Sequence, residues 1–304
     1  MKKALIKAKH IEPGDTIGII APSIALKPEY IENPVANLKK FGFEIKLSEN
    51  LFSETNGYAG SITERATDFN EMIADRDVKM ILFGGGEVCN EILPYIDYDN
   101  IKRNPKIICS YSDSTSILNA VYSKTGLVTF YGCSLRTFER PTDYNIDVFT
   151  KRLMTTDLEY AKGSKWTIIH PGSCEGILTG GYLVNYAALQ GLEYFTLNEN
   201  DKYLLFIEDH EKFSSPAVVS KWFSNLEHRG VFKFVSGLIF GHYSDSETPL
   251  IDDILFRIGR RYGIPVVRCE DFGHGINNTI IPIGVCAKLN TEKELFRFIE
   301  SSVT

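Results

Sequence analysis

The sequence lacks any apolar run long enough to span a bilayer and any extended cluster of lysine and arginine. The first absence predicts that no helix crosses a membrane. The second, together with a formal net charge of -6, argues against nucleic acid or an anionic membrane surface as the main partner. The N-terminal segment is basic, but it has no apolar stretch of the kind that forms a signal-peptide core. We therefore expect a cytoplasmic protein.

Metal-binding motifs are also missing. The chain contains neither a Cys-x-x-Cys pair nor a His-Glu-x-x-His segment, so no zinc site is expected. The six cysteines are scattered and lie mostly within apolar runs, which is typical of free thiols packed as small hydrophobic side chains. Neither a phosphate-binding GxxxxGK loop nor a dinucleotide-binding GxGxxG motif follows any predicted strand.

The composition is that of a soluble globular protein. Hydrophobic residues make up 43% and charged residues 24% of 304 residues, a length sufficient for two domains. In the first half of the chain, predicted strands alternate with amphipathic helices. These strands are 17–20, 43–47, 78–83, 107–110 and 128–131. This alternation predicts a layered α/β domain with a largely parallel sheet.

The pattern changes after about residue 150. Segment 157–175 is polar and contains Gly163, Pro171 and Gly172, and we interpret it as a linker. Strands are predicted beyond it at 203–207, 238–240, 266–268 and 285–289, with helices from Pro216 and from Pro249. The predicted fold is therefore α/β with two domains: 1–156, a linker at 157–175, and a smaller domain at 176–304.

Ser112 lies where a predicted strand runs into a predicted helix. A serine in such a tight turn exposes its hydroxyl, and the following backbone N–H can help to hold an oxyanion. The usual pattern is Gly-x-Ser-x-Gly, whereas Ser110 and Ser114 occupy the flanking positions here. On the local pattern alone, capping of the following helix explains these serines better than catalysis does.

Two further segments could supply an acid and a base. Glu208 ends the predicted strand 203–207, and α/β folds often place functional groups at the carboxyl ends of strands. Its neighbour Asp209 should point to the other face, and a salt-bridged strand end is the alternative for Glu208. His274 is flanked by glycines, which suits an imidazole that reaches into a cleft, although a surface turn is the commoner case.

Taken in order, these segments resemble the serine LD-carboxypeptidase family, which also contains the microcin C self-immunity peptidases. The resemblance covers nearly the whole chain and rests on several ordered motifs. The matching segments are 14–23, 57–60 followed by Arg65, Ala66 and Asp68, 85–86 with 93–97, 111–113 with Thr115, 206–209 and 272–274.

The resemblance implies a Ser112–His274–Glu208 triad at a cleft between the two domains. His274 would take the proton of Ser112, and Glu208 would orient the imidazole. The backbone N–H groups of Gly86 and Asp113 would form the oxyanion hole. The family needs neither a metal nor an organic cofactor, and its members are usually homodimers.

The expected reaction is hydrolysis of the amide bond next to a C-terminal D-amino acid in a small peptide, as in the recycling of murein tetrapeptides. Gly85 would then lie beside the substrate. The alternatives are self-immunity by cleavage of a peptidyl-nucleotide, in which Trp166 could stack on the base, and an inactive binding relative. The intact triad positions argue against the inactive relative, and a core position is the other interpretation of Trp166. Segment 93–99 leans towards the microcin C immunity branch. Segment 140–180, however, is shorter than that branch's loop between the domains and leaves less material for binding a nucleobase, which favours the murein substrate.

The sequence departs from the family at three places near the expected site. Glu87, Val88 and Cys89 follow the glycine-rich turn in place of the more usual pattern. Ser110 replaces the usual glycine of the nucleophile segment, and Tyr182 stands where Asn would follow Gly180 and Gly181. Because the three triad positions are intact, these changes affect the expected substrate preference more than the expected chemistry.

Overall fold

The computed structural model describes residues 4–304. The strands are Thr16–Ile20 (β1), Glu44–Leu47 (β2), Val78–Phe83 (β3), Ile107–Ser110 (β4), Thr129–Tyr131 (β5), Thr167–His170 (β6), Ser173–Tyr182 (β7), Tyr203–Glu208 (β8), Val235–His242 (β9), Val266–Gly273 (β10), Ile281–Ile283 (β11), Cys286–Asn290 (β12) and Leu295–Phe298 (β13). The helices are Pro28–Lys40 (α1), Ile62–Ala74 (α2), Tyr98–Arg103 (α3), Thr115–Thr125 (α4), Asp143–Leu153 (α5), Leu183–Leu189 (α6), Pro216–His228 (α7) and Pro249–Tyr262 (α8).

The first sheet has six strands in the order β11-β5-β4-β3-β1-β2. Its five N-terminal strands pair in parallel, whereas β11 joins β5 in antiparallel orientation. The central strands β3 and β4 consist almost entirely of buried residues, as expected when helices cover both faces of a parallel sheet.

The second sheet has seven strands in the order β13-β12-β7-β8-β9-β10-β6. Strands β7 to β10 form a parallel centre, and β6, β12 and β13 extend it in antiparallel orientation. The structure confirms the predicted α/β class with two sheets. No helix within residues 4–304 has the length and apolar character that a bilayer crossing requires.

Helix α4 lies between the two sheets. Nearly all of its residues are buried, so it carries no solvent-facing stripe of the kind that surface helices show. Asn119 ties it to β7, because its amide donates to Gly180 O at 2.8 Å while its carbonyl oxygen accepts from Thr179 Oγ1 at 3.0 Å. Thr115 at the start of the helix accepts from the backbone N–H of Tyr182 at 2.9 Å. These hydrogen bonds hold the start of α4, which follows β4 in the chain, against β7 of the second sheet.

The predicted strands and the two predicted C-terminal helices are present, and α7 and α8 begin at Pro216 and Pro249 as predicted. The prediction of an irregular segment at 157–175 is wrong in part, because β6 and the start of β7 lie there. Strand β6 is an edge strand with largely exposed side chains, so its sequence lacks the apolar run that marks the buried strands. The remainder of β7 and strands β11 and β13 were not predicted either. Strand β11 has only three residues, and although it comes from the C-terminal half of the chain it joins the first sheet beside β5.

Gly180 provides a test of how closely β7 and β8 approach. Its φ is +146°, and a Cβ at this position would lie 1.8 Å from the carbonyl oxygen of Phe206. We expect Gly180→Ala to lower the free energy of unfolding by about 4 kcal/mol or more, since strain and a backbone clash combine. The control is Gly14→Ala, where φ is +99° but no atom lies within 4 Å. Gly14→Ala should lower the free energy of unfolding, measured by urea denaturation, by only about 1–2 kcal/mol. Equal decreases in the two variants would contradict the explanation by crowding between β7 and β8.

Candidate active site

Ser112 lies in the turn between β4 and α4 and has a positive φ of +62°. Only two non-glycine residues of the described chain have positive φ values, the other being Glu294. Such a conformation is disfavoured for a residue with a Cβ, and it occurs where a strained turn presents a nucleophile. The backbone N–H of Ser112 donates to the hydroxyl of Tyr131 at 3.0 Å, which holds the turn in this conformation.

The structure brings the three predicted triad residues into one hydrogen-bonded chain. Ser112 Oγ lies 2.9 Å from His274 Nε2, and His274 Nδ1 lies 2.8 Å from Glu208 Oε2. Glu208 is fully buried at the end of β8, whereas the imidazole keeps 16% of its side-chain surface exposed. The serine comes from the first sheet, and the acid and the histidine come from the carboxyl ends of β8 and β10 in the second.

Tyr131 closes this chain into a ring. Its hydroxyl donates to Glu208 Oε1 at 2.5 Å and accepts the N–H of Ser112, so both carboxylate oxygens of Glu208 have a donor. The tyrosine is fully buried, and burial raises its pKa well above the ordinary value, which keeps the phenol protonated as a donor. Tyr131 was not among the predicted site residues, although a polar tip at the carboxyl end of a buried strand is a usable signal.

The charge state of His274 depends on its acidic neighbours. Burial of the imidazole lowers its pKa, but the negative charge of Glu208 and the hydrogen bond to that residue outweigh burial, so the pKa is raised overall. Asp209 raises it further, and the positive charge of Arg136 lowers it. A histidine with a raised pKa is a stronger base once it is deprotonated.

Asp209 is a buried neighbour with a different environment. Its Oδ1 accepts the backbone N–H of His210 at 2.7 Å, and burial raises its pKa to about 7. No hydrogen bond joins it to His274 among the described residues, whereas Glu208 makes one directly. The two adjacent carboxylates thus differ in geometry as the alternation of a strand predicts.

Asp113 has a side chain that bonds to three separate segments around Ser112: the loop after β1, the 3-10 helix that begins at Cys89, and helix α6. Its Oδ2 accepts from Ser23 Oγ at 2.6 Å and from the backbone N–H of Cys89 at 2.8 Å, and its Oδ1 accepts from Asn185 Nδ2 at 2.8 Å. The sequence prediction concerned only its backbone N–H. The side chain adds a second role, because it fixes the loop after β3 next to the nucleophile turn.

Gly85 and Gly86 lie in the loop after β3, which the side chain of Asp113 holds next to Ser112. Gly86 packs against the loop after β1, where a Cβ would meet Ser23 Cβ at 2.2 Å, and it has a φ of +152°. Gly85 is exposed and has open space where a side chain would lie. Only glycine fits the close approach at position 86, and position 85 leaves room for a ligand.

A cavity of about 620 Å³ opens beside His274, and both halves of the chain line it. Its charged and aromatic lining residues are Arg136, Glu139, Arg140, Lys212, Tyr111 and Phe213. A pocket of this size accommodates a small peptide. Three cations against one carboxylate give this wall a positive charge in a chain of net charge -6.

Trp166 does not line this cavity. It is 5% exposed, its Nε1–H donates to Asp271 Oδ2 at 2.9 Å, and its ring contacts Tyr160 and Phe296. The structure therefore corrects the prediction of Trp166 as a substrate-binding residue, because a ring enclosed in an aromatic cluster cannot stack on a ligand.

Within residues 4–304 no group of three or more potential metal ligands occurs.

A serine hydroxyl in contact with a histidine that is itself bonded to a buried carboxylate is the arrangement typical of serine hydrolases. Comparisons with known proteins identify the family. Residues 17–132 match the LD-carboxypeptidase N-terminal domain, and residues 175–289 match the LD-carboxypeptidase C-terminal domain. The chain belongs to the LD-carboxypeptidase family and is a serine-type carboxypeptidase, which confirms the family resemblance.

Three similar proteins illustrate the range of the family. The chain is 33% identical to the microcin C7 self-immunity protein MccF of Escherichia coli, with 91% of each chain covered. It is 29% identical to a probable murein peptide carboxypeptidase of Bacillus subtilis, with 95% of this chain and 92% of that protein covered. The solved structure of MccF in complex with aspartyl sulfamoyl adenosine superposes with a TM-score of 0.87 at 28% identity, covering 98% of this chain and 100% of that one.

Tyr131→Phe tests the ring of hydrogen bonds. The substitution removes the donor to Glu208 Oε1 and the acceptor of the Ser112 N–H, and it leaves both groups without these partners. We expect the free energy of unfolding to fall by about 2–4 kcal/mol, because a buried charged group loses a hydrogen bond. Tyr186→Phe is the matched control, since Tyr186 is equally buried but its hydroxyl contacts neutral side chains, with Thr179 at 3.3 Å.

The control should lose about 1 kcal/mol, the usual contribution of a neutral hydrogen bond. Both variants are measured by urea denaturation at neutral pH. Losses of the same size would show that the Tyr131 hydroxyl does no more than an ordinary buried phenol.

Proposed function

We propose that this protein cleaves the amide bond before a C-terminal D-amino acid, using Ser112, His274 and Glu208 as a catalytic triad. The observation that carries the proposal is the unbroken hydrogen-bonded chain from Ser112 Oγ through His274 to Glu208, because its central residue His274 lines a cavity large enough for a peptide. A murein tetrapeptide that ends in D-Ala is the substrate that fits this reaction.

The mechanism begins with the hydroxyl of Ser112. His274 Nε2 accepts its proton while Ser112 Oγ attacks the carbonyl carbon of the scissile amide, and Glu208 stabilises the imidazolium that forms. The oxyanion is held by the backbone N–H groups of Asp113 and Gly86. His274 then gives the proton to the departing amino group, which releases the D-amino acid and leaves an acyl-enzyme. Water, activated by the same histidine, hydrolyses the ester and restores Ser112.

The positively charged cavity wall supports a substrate with several carboxylates. A murein tetrapeptide carries free carboxylates along its length as well as at its C-terminus, so it complements Arg136, Arg140 and Lys212 electrostatically. Murein peptides are also what the name of the Bacillus subtilis relative specifies for that protein.

Self-immunity by cleavage of a peptidyl-nucleotide is the second candidate. The observation that favours it is the likeness to MccF, which has been solved with a bound aspartyl sulfamoyl adenosine. Against it, the tryptophan that the sequence suggested for base stacking is enclosed in the core, so a nucleobase would need another aromatic partner. The murein peptide is therefore the better supported substrate.

Ser112→Ala and a pair of substrates test the reaction and the substrate together. Purified protein is given the L-Ala–D-Glu–diaminopimelate–D-Ala tetrapeptide and, separately, a peptidyl-aspartyl-adenylate analogue, and release is followed by mass spectrometry. We expect D-Ala release with the higher kcat/KM. In Ser112→Ala, kcat should fall roughly 10⁵–10⁶-fold, because the nucleophile is lost, with an unchanged melting temperature.

The double variant Ser112→Ala/His274→Ala should cost little more than either single change, since residues that act as a unit give non-additive losses. Multiplicative losses would count against a shared proton transfer. Preferential cleavage of the adenylate analogue would overturn the murein assignment in favour of immunity.

The pH profile tests the role of Glu208. Because His274 must be neutral to accept a proton, kcat/KM should fall as the pH drops through its pKa, which lies above the usual value of about 6.5. Glu208→Gln removes the charge that raises this pKa and leaves the burial that lowers it. The acid limb should therefore move to lower pH, and kcat should fall by roughly 10²–10⁴-fold.

Asp209→Asn is the matched control, an identical acid-to-amide change one residue away without a hydrogen bond to the imidazole. Its effect on kcat should be much smaller. A larger loss in Asp209→Asn than in Glu208→Gln would mean that the wrong carboxylate has been assigned.

A further inference from the structure

Two arginines on one wall of the cavity have no partner among the residues that the structure describes. Arg136 lies in the short 3-10 turn Leu135–Phe138, and Arg140 follows it by four residues. Both line the cavity that also contains His274, and both are exposed. Across residues 4–304, neither guanidinium forms an ion pair or a side-chain hydrogen bond, not even with Glu139 between them in sequence. By contrast, Arg257 and Arg261 on the surface of α8 pair with Glu227.

The turn that carries these arginines is firmly anchored. Leu135 and Phe138 are 3% and 2% exposed, and the ring of Phe138 contacts those of Phe41 and Phe149. The carbonyl of Phe138 also accepts from Asn37 Nδ2 at 2.9 Å. The backbone is therefore preorganised, and a ligand that binds the guanidinium groups has to order only side chains.

Arg136 is also close to the reacting groups. Its positive charge lowers the pKa of His274, as one of the smaller influences on that residue, and it acts in the same direction on the neighbouring Tyr111. An anion bound at this wall would thus lie near the bond that is cleaved. Guanidinium groups match carboxylate and phosphate oxygens through paired hydrogen bonds, which suits them to recognise one specific anionic group.

We propose that Arg136 and Arg140 form an anion-binding subsite for a second carboxylate of the substrate, distinct from the C-terminal carboxylate of the leaving amino acid. This subsite adds a specificity element to the proposed function, and its assignment to a peptide substrate rests on that function. A peptide whose acyl part has a free side-chain carboxylate, such as diaminopimelate, places that group within a residue or two of the scissile bond. A phosphate would satisfy the same chemistry.

The test combines two enzymes with two substrates. The first peptide is the tetrapeptide with the free side-chain carboxylate of diaminopimelate, and the second has a carboxamide at that position. Wild-type protein should favour the acid form by about 10- to 100-fold in kcat/KM, the range expected for a charge-assisted hydrogen bond. In Arg136→Gln/Arg140→Gln, the ratio between the two peptides should fall close to one.

Arg260→Gln is the control, because Arg260 is an exposed arginine on α8 that does not line the cavity. It should keep the wild-type preference for the acid form. The proposal would be overturned if Arg136→Gln/Arg140→Gln kept the preference for the acid form over the carboxamide form. It would also be overturned if the wild-type protein showed no preference between the two peptides and did not bind phosphate.

Binding to Ser112→Ala, measured by calorimetry, separates this proposal from the proposed function. One outcome would keep the subsite and refute the assignment as a carboxypeptidase of murein peptides. In that outcome wild-type protein cleaves neither peptide, but Ser112→Ala binds the acid form more tightly than the carboxamide form, and does so only when both arginines are present. Adenosine monophosphate serves as the phosphate probe. Binding of this probe that disappears in the double variant, without any preference between the peptides, would support the subsite and assign it to phosphate.

Discussion

Glu208 carries a carboxylate that is fully buried, and the two hydrogen bonds that satisfy its oxygens organise the whole site. A buried charge without partners would cost several kcal/mol, so the donors Tyr131 and His274 have to be in place for the protein to fold as it does. One donor ends a strand of the first sheet, and the other follows a strand of the second. The two hydrogen bonds to the Glu208 carboxylate therefore hold the first and second sheets together next to Ser112.

The strained turn at Ser112 depends on the same contacts. A positive φ at a residue with a Cβ costs about 1–3 kcal/mol and persists only where the surroundings over-determine it. Here Tyr131 holds the Ser112 N–H, the side chain of Asp113 holds the flanking loops, and α4 is fixed between the sheets through Asn119. The strain turns the hydroxyl towards His274 and leaves the following backbone N–H at the start of a helix, where negative charge is favoured.

The electrostatics of the site are divided between two sides of His274. Behind the imidazole, Glu208 and the buried Asp209 favour positive charge on the ring. In front of it, Arg136, Arg140 and Lys212 give the cavity a positive wall within an acidic protein. In the proposed reaction the acidic side would serve proton transfer, and the basic side would select anionic substrates. Because Arg136 opposes the effect of Glu208 on the pKa of His274, any change to the substrate-binding wall also affects the base.

The sequence by itself determined the parallel strands of the first sheet, strands β8, β9 and β10 of the second, and helices α7 and α8. Buried strands appear as apolar runs and proline marks helix starts, which are local signals. Ser112, His274 and Glu208 were predicted from ordered motifs that resemble those of a known family, because the local pattern around Ser112 alone favours helix capping. Only the tertiary structure decided that β7 lies at the centre of the second sheet, that β6 and β11 pair where they do, that Trp166 is enclosed in the core, that Tyr131 bonds to Glu208, and that Arg136 lines the cavity beside His274. These features depend on contacts between residues that are distant in the chain, and a residue type alone does not show which partner will satisfy it.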